Sequence, residues 1–332
     1  MEDKKTIDQI IIDSLYLDIE RVLPPPLITI QGKVILTDSN YLTISGLPKS
    51  RKTSFMQFFI ASALNNNSFF GIKTELKKGE KIVLIDTEQS IFDFQKQNFF
   101  LKKLVKKNKL PNNFSAYLFR EYEPDVILEA IEKICITDKP KIIFLDNLTE
   151  LVINPNDLIE AKKVTQFLKK ISAKYNCGIV CLLHLNKTNG FTLGNLGSYA
   201  DRGAQSVLKV SIDKETNIST LECTMLRSDS HFEPISIEYN NENNCYNEVQ
   251  NINTDTEKRK KFSMANYTKK DIENRLNIIF EISDNYTYSP LCEELKKIFG
   301  VGNNSIKQIV IPYLIGNKFL YSKNSNYTLT KN

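Results

Sequence analysis

The sequence predicts an α/β protein: a mostly parallel sheet interleaved with helices, antiparallel strands extending one edge, and a small separate domain at the C-terminus. Three observations carry this. Continuous apolar runs at 81–86 (KIVLID), 142–146 (IIFLD) and 178–184 (GIVCLLH) each follow a helical pattern, as parallel strands buried on both faces require. The stretch 41–54, YLTISGLPKSRKTS, joins another apolar run to a helix through a loop with phosphate-binding spacing. From Val207 onward, strand-like runs succeed one another without helices between them.

The elements follow in order. Residues 7 to 20 form an amphipathic pattern that Pro24, Pro25 and Pro26 stop, and Leu27 to Gln31 and Lys33 to Thr37 read as two strands. This N-terminal helix and β lead-in occupies 1–40. Tyr41 to Ser45 is a strand, and Phe55, Met56, Phe59, Ile60, Ala63 and Leu64 give the next helix two apolar stripes. Strand 81–86, helix 90–107, strand 116–119, helix 124–136, strand 142–146, helix 157–175 and strand 178–184 then alternate. The runs VLKVSI, STLECTML and PISIEY suit antiparallel edge strands, closing a domain over 41–240. Residues 241–267, with the charge run EKRKK, have the polar and weakly periodic composition of a linker.

Residues 268–332 are patterned as a domain of their own. Ile272, Leu276, Ile279 and Phe280 mark a helix capped by Thr268, and Leu291, Leu295, Ile298 and Phe299 a second, begun at Ser289 and Pro290 and ended by Gly300. Ile306, Ile309, Val310, Tyr313 and Leu314 mark a third, carrying Pro312 and ended by Gly316, before the hairpin KFLYS–NYTLT. Three helices and a hairpin in this order predict a winged helix.

Composition bounds the function. The chain has 332 residues, 41% hydrophobic and 25% charged, with net charge +5, so disorder is excluded as a default and nucleic-acid binding must be argued from local patches. No apolar run approaches the ~18 residues of a membrane span, and the N-terminus resembles neither a signal nor a transit peptide, so a cytoplasmic protein without membrane association is expected. The six cysteines show no paired metal spacing and read as reduced residues, Cys177 and Cys181 in or beside a strand.

The chemistry lies at the strand ends. Gly46, Lys52 and Thr53 occupy the first, seventh and eighth positions of a phosphate loop whose sixth, normally glycine, is Arg51. Residues Gly46, Leu47, Pro48, Lys49, Ser50, Arg51, Lys52, Thr53 and Ser54 are the candidate nucleotide-binding set. The carboxyl ends of the later strands carry Glu88, Asp146 and His184. In-line attack of water on a γ-phosphate needs a carboxylate to orient the water and another to hold magnesium, roles for Glu88 and for Asp146 with Thr53. His184 is either a rim histidine or a reporter on the γ-phosphate. The lysines at 102, 103, 106, 107 and 109 read as a solvated helix face.

In these residues the chain resembles the RecA-like P-loop ATPases, in particular the RepA/RadA/DnaB-like branch of plasmids and mobile elements. DTEQS at 86–90 looks like the family's second-strand motif, FLDNLTEL at 144–151 like its Walker B segment, and LLHLNK at 182–187 like its sensor strand. GNLGSYADRGAQSVLKV at 194–210 is similar to the segment that follows. The resemblance covers about 27–240 and implies ATP and Mg2+ as ligands, a catalytic Glu88 with Lys52, and a homo-oligomer, with a hexamer as one candidate. In helicase relatives a late-strand arginine reaches the neighbour's ATP, often two residues after a lysine. Here TMLRSD offers Arg227, with Met225 at the lysine position, and an edge-strand end is the alternative. Variant loops of the family make Lys49 and Arg51 candidates for added charge at the phosphates.

The implied function is Mg-dependent ATP hydrolysis coupled to DNA, in replication or maintenance of a mobile element; a slow nucleotide-switched DNA-binding regulator is the alternative. A winged helix commonly reads duplex DNA with its third helix and hairpin, making Lys307, Gln308, Lys318 and Lys323 candidate contacts, unless it serves as a protein-docking module.

Overall fold

The computed structural model describes residues 6–14, 24–186, 192–242, 244–249, 263–264, 267–302, 305–323 and 326–330. The chain divides into two compact units, 1–250 and 251–332. Parts of the expected first helix (15–20), Lys187 of the sensor-like strand, most of the linker including EKRKK, and hairpin residues Asn324 and Ser325 lie outside the described residues.

The first unit is α/β, with a large mixed sheet of mostly parallel strands and antiparallel edge strands. After helix α1 (Ile7–Ser14) come β1 (Pro26–Ile30), β2 (Lys33–Thr37), β3 (Tyr41–Gly46), α2 (Lys52–Asn65), β4 (Ile72–Thr74), β5 (Lys81–Asp86) and α3 (Ile91–Leu104). Next follow β6 (Phe114–Leu118), α4 (Pro124–Thr137), β7 (Pro140–Asp146), a 3-10 turn (Leu148–Leu151), α5 (Leu158–Tyr175), β8 (Gly178–His184) and α6 (Gly194–Gly203). The strands β9 (Ser206–Ile212), β10 (Ile218–Leu226), β11 (Ile235–Asn240) and β12 (Cys245–Val249) complete it. Among the described residues the large sheet runs β12-β11-β10-β9-β3-β8-β7-β5-β6, parallel from β9 to β6 and antiparallel from β9 to β12.

The apolar runs are continuous because both sheet faces are covered. Leu84, Phe144 and Leu182 point to one core with Phe55, Phe58 and Phe59 of α2; Ile85, Leu145 and Leu183 point to the other with Ile131 of α4 and Leu168 of α5. Helix α2 is buried nearly all round because a small antiparallel sheet, β2-β1-β4, shares its core. The side chain of Thr74 on β4 fixes this contact by donating to Phe59 O at 3.0 Å. The β lead-in is therefore part of the larger unit's core and not an appendage to it.

One expectation needs correction. The expected linker begins too early, since β12 lies within it and pairs with β11 from Ser236↔Val249 to Asn240↔Cys245. The reason is that an edge strand is held by backbone hydrogen bonds and tolerates a polar sequence. The segment after β8 contributes helix α6, which no strong apolar period announced. All six cysteines are free, and no described helix is long and apolar enough to cross a membrane.

The second unit holds α7 (Lys269–Phe280), β13 (Tyr286–Thr287), α8 (Tyr288–Phe299), a π-helical turn (Ile306–Val310) leading into α9 (Ile311–Gly316), β14 (Leu320–Lys323) and β15 (Asn326–Leu329). Thr268 caps α7 in a reciprocal box with Asp271, and Gly300 ends α8 at φ 64°, a left-handed turn that glycine enters without a Cβ penalty. The third helix begins as a π turn because Pro312 has no N–H to donate and its ring crowds the carbonyl four residues back. The strands form a sheet ordered β13-β15-β14 over a core of Ile272, Leu276, Leu291, Leu295, Ile306 and Leu314.

Candidate functional site

Strand register gathers the site. Gly46 pairs with His184 across β3 and β8, and Asp86 with Asp146 across β5 and β7, so one end of the parallel sheet carries all four. Ligands of open α/β sheets bind beyond this carboxyl end.

The loop between β3 and α2 has a specific backbone. Lys49 and Arg51 have φ of 64° and 72°, while Pro48 and Ser50 stay outside the left-handed region. Such alternation turns successive N–H groups toward one concavity that suits an anion. Arg51 is the N-cap of α2 but gives it no side-chain cap, so the first amides of the helix keep their donor role. Gly46 is fixed by close approach: a Cβ there would meet Ser50 Oγ at 2.5 Å and the Val210 carbonyl at 2.6 Å.

Lys52 is buried at the centre. Its Nζ donates to Gly46 O at 2.9 Å and Leu47 O at 3.1 Å and lies 3.3 Å from His184 Nδ1. Burial lowers its pKa, against the pull of Asp146 and Glu88. Because the ammonium has only protons to offer, Nδ1 accepts and Nε2 carries the ring proton. That proton faces Glu88 Oε2 at 3.3 Å. Asn147 Nδ2 donates to the same oxygen at 3.3 Å. The His184 hydrogen bond, opposed by burial and supported by Asn147 and Lys52, holds the Glu88 carboxyl below its usual range, so it is ionised at neutral pH.

Thr53 Oγ1 donates to Asp146 Oδ2 at 2.8 Å. Asp146 is buried, and that burial, with the neighbouring Asp86 and Glu88 charges, pushes its pKa up to about 7 despite the Thr53 bond and Lys52. Asp86, fully buried, accepts from the Glu88 and Gln89 amides through Oδ1 at 3.0 and 2.9 Å, while Oδ2 has no partner among the described residues. Burial raises its pKa too. Three carboxylates against one lysine make a site that a cation would relieve. Among the described residues no group of three or more His, Cys, Asp or Glu is arranged as a metal cage. One hydroxyl and one carboxylate, completed by phosphate oxygens and water, is instead how magnesium is commonly held, and Thr53 with Asp146 fits it.

Arg51 differs from expectation. Its guanidinium turns away to the β9–β10 turn, donating to Asn217 O at 2.6 Å, Asn217 Oδ1 at 2.8 Å and Ser219 Oγ at 3.1 Å, and lies 5.8 Å over the Tyr246 ring. Only its backbone belongs to the loop concavity. Ser54 turns the same way, its Oγ 2.8 Å from the Tyr246 hydroxyl. Leu47, Pro48 and Lys49 are exposed and Ser50 is buried.

No family model and no curated protein matches this chain.

Arg227 is not in this constellation. Leu226 pairs with Ser206, which pairs with Leu42, whereas Gly46 pairs with Val210, so Arg227 lies at the opposite end of the strands, about 13 Å or more from the loop. It donates to the Arg202 carbonyl there. In the second unit Lys307 and Gln308 are exposed on the π turn, Lys318 on the turn after α9, and Lys323 at the end of β14. Sequence reasoning gave no role to Asp86, Asn147 or Tyr246. The first two adjoin Glu88 and Asp146 by strand register, and Tyr246 was an isolated aromatic in a polar stretch.

Proposed function

We propose that the chain is a RecA-like P-loop ATPase that uses Mg2+ and couples hydrolysis to DNA in the replication or maintenance of a mobile element. The observation that carries this is the convergence of the nested loop, Lys52, the Thr53–Asp146 pair and an ionised Glu88 at one end of a parallel sheet. Loop amides and Lys52 bind the phosphates. Magnesium, when bound through Thr53 and Asp146, neutralises charge on the phosphate oxygens. Both partners of Glu88 bind Oε2, so Oε1 is presented to accept from a water and orient it. His184 ties that carboxylate to Lys52, making the water-orienting group responsive to the phosphate-binding one.

The element order of the second unit and its exposed Lys307, Gln308, Lys318 and Lys323 support a winged helix that binds duplex DNA. A slower, nucleotide-switched regulator is the second reading, favoured by Met225, which stands where helicase relatives carry a lysine two residues before the arginine. Mixing Arg227→Ala protein with Lys52→Ala protein separates the two, since recovery of ATPase activity requires a finger acting across subunits.

The test of the ATPase reading is a pair of substitutions. Lys52→Ala should abolish ATP binding, and Glu88→Gln should keep binding while hydrolysis falls by roughly 100-fold or more. A Glu88→Gln protein turning over at the wild-type rate would remove Glu88 from the chemistry, and a wild-type chain unable to bind Mg-ATP would end the reading.

A further inference from the structure

Helix α3 starts three residues after Glu88, capped by Ser90, whose Oγ accepts from Asp93 N at 3.2 Å. Its inner face is conventional: Leu101 is buried, and Phe94, Phe100 and Leu104 pack on the core. Its outer face is not. Phe92 and Phe99, 71% and 60% exposed, are the two most exposed aromatic rings among the described residues. Lys96 and Lys103 are also exposed, and at 100° per residue positions 92, 96, 99 and 103 fall on one line along the helix. Lys103 Nζ lies 5.1 Å over the Phe99 ring. From Lys96 to Lys109 the sequence holds six lysines and no carboxylate.

We infer that this outward face of α3 binds single-stranded DNA, with bases stacking on Phe92 and Phe99 and the backbone following the lysines. Interleaving decides the partner. A helix that lies on a membrane segregates its apolar residues from its charges, whereas here aromatic and lysine alternate along one line, the arrangement that offers a stacking surface and a phosphate track together. A second copy of the same face would bring lysines against lysines. Seven residues of helix separate the rings by about 10 Å, roughly three steps of a stacked strand, so bases three apart would meet them. The choice of DNA rests on the proposed function; the site itself does not depend on ATP chemistry. Its place gives it a use, because the segment from Glu88 to Ile91 joins the water-orienting carboxylate directly to the DNA-bearing helix.

The chain contains no tryptophan, so Phe99→Trp installs a single reporter on this face. In the full chain, without nucleotide and with Lys307→Ala and Lys323→Ala present to silence the second unit, an oligodeoxythymidine should quench that tryptophan, less so as salt rises. Phe92→Ala with Phe99→Ala should weaken oligonucleotide binding at least tenfold, with the melting curve unchanged because both rings are exposed. Phe92→Tyr with Phe99→Tyr should retain binding, and Lys96→Gln with Lys103→Gln should flatten the salt slope by about 1.4. Wild-type affinity in the double alanine variant overturns the proposal. So does a tryptophan that responds to anionic phospholipid vesicles, to an oligoribonucleotide alone, or to protein concentration, but not to the oligodeoxythymidine.

Discussion

Arg51 combines a left-handed backbone with a side chain engaged elsewhere, and the two effects separate by substitution. Arg51→Ala and Arg51→Gly both remove the guanidinium and its bonds to Asn217 and Ser219. Two of those three bonds are exposed and one is partly buried, so their joint loss should cost about 1–2 kcal/mol. Only glycine accepts φ 72° without a Cβ penalty, which is about 1–2 kcal/mol for alanine; the greater freedom of unfolded glycine returns roughly half of it. Arg51→Gly should therefore be the more stable of the two by about 1 kcal/mol. For a unit of this size that is roughly 2–4 °C in the thermal transition, measured by calorimetry on the full chain. Because the guanidinium faces away from the loop concavity, Arg51→Gly should also hold Mg-ATP within about threefold of wild type, well under 1 kcal/mol. An alanine variant as stable as the glycine variant would refute the backbone argument. A tenfold loss of ATP affinity in Arg51→Gly would put the arginine at the phosphates after all.

Asp146 is protonated in the folded state at pH values where it is ionised unfolded, so in EDTA stability should fall as pH rises from about 4 to about 7. Asp146→Asn should remove much of that slope in urea titrations across the range and be the more stable protein above pH 7. Tyr246→Ala should destabilise the first unit by about 3 kcal/mol, because its ring packs edge-on to Phe58 and Phe100. A chain ending at 240 should likewise melt lower than one ending at 249, and equal melting temperatures would return β12 to the linker. In the second unit, replacing Lys307 and Lys323 should weaken duplex DNA binding and flatten its salt slope by roughly 2, read by anisotropy over a range of salt.

Much of this arrangement was legible in residue order. Runs such as KIVLID and GIVCLLH announce parallel strands because both faces are covered, and Thr268 and Gly300 announce helix ends because their chemistry is local. Gly46, Lys52, Thr53, Glu88, Asp146 and His184 could be selected because each ends a strand, opens a helix or, as Glu88 does, lies just beyond a strand end, and the fold brings them together. What was hidden is non-local. The pairing of Asp86 with Asp146 depends on strand register, and no spacing in the sequence announces that Asn147 donates to Glu88. β12 is held by an edge ladder that its polar residues do not advertise, and β4, at three residues, is too short for any period. The direction of the Arg51 side chain depends on Asn217, 166 positions away.

That last separation has a consequence for how the protein is made. The loop at 46–51 emerges from the ribosome early, yet the groups that hold Arg51 and Ser54 are Asn217, Ser219 and Tyr246, between 166 and 192 residues later. At synthesis rates of 5–20 residues per second, the loop waits roughly 10–40 s for them. The central strands β3 and β5 can pair only through β7 and β8, which also come later. The nascent chain thus carries the 46–51 loop well before it can set it, and acquires a finished loop only when nearly the whole first unit has been translated.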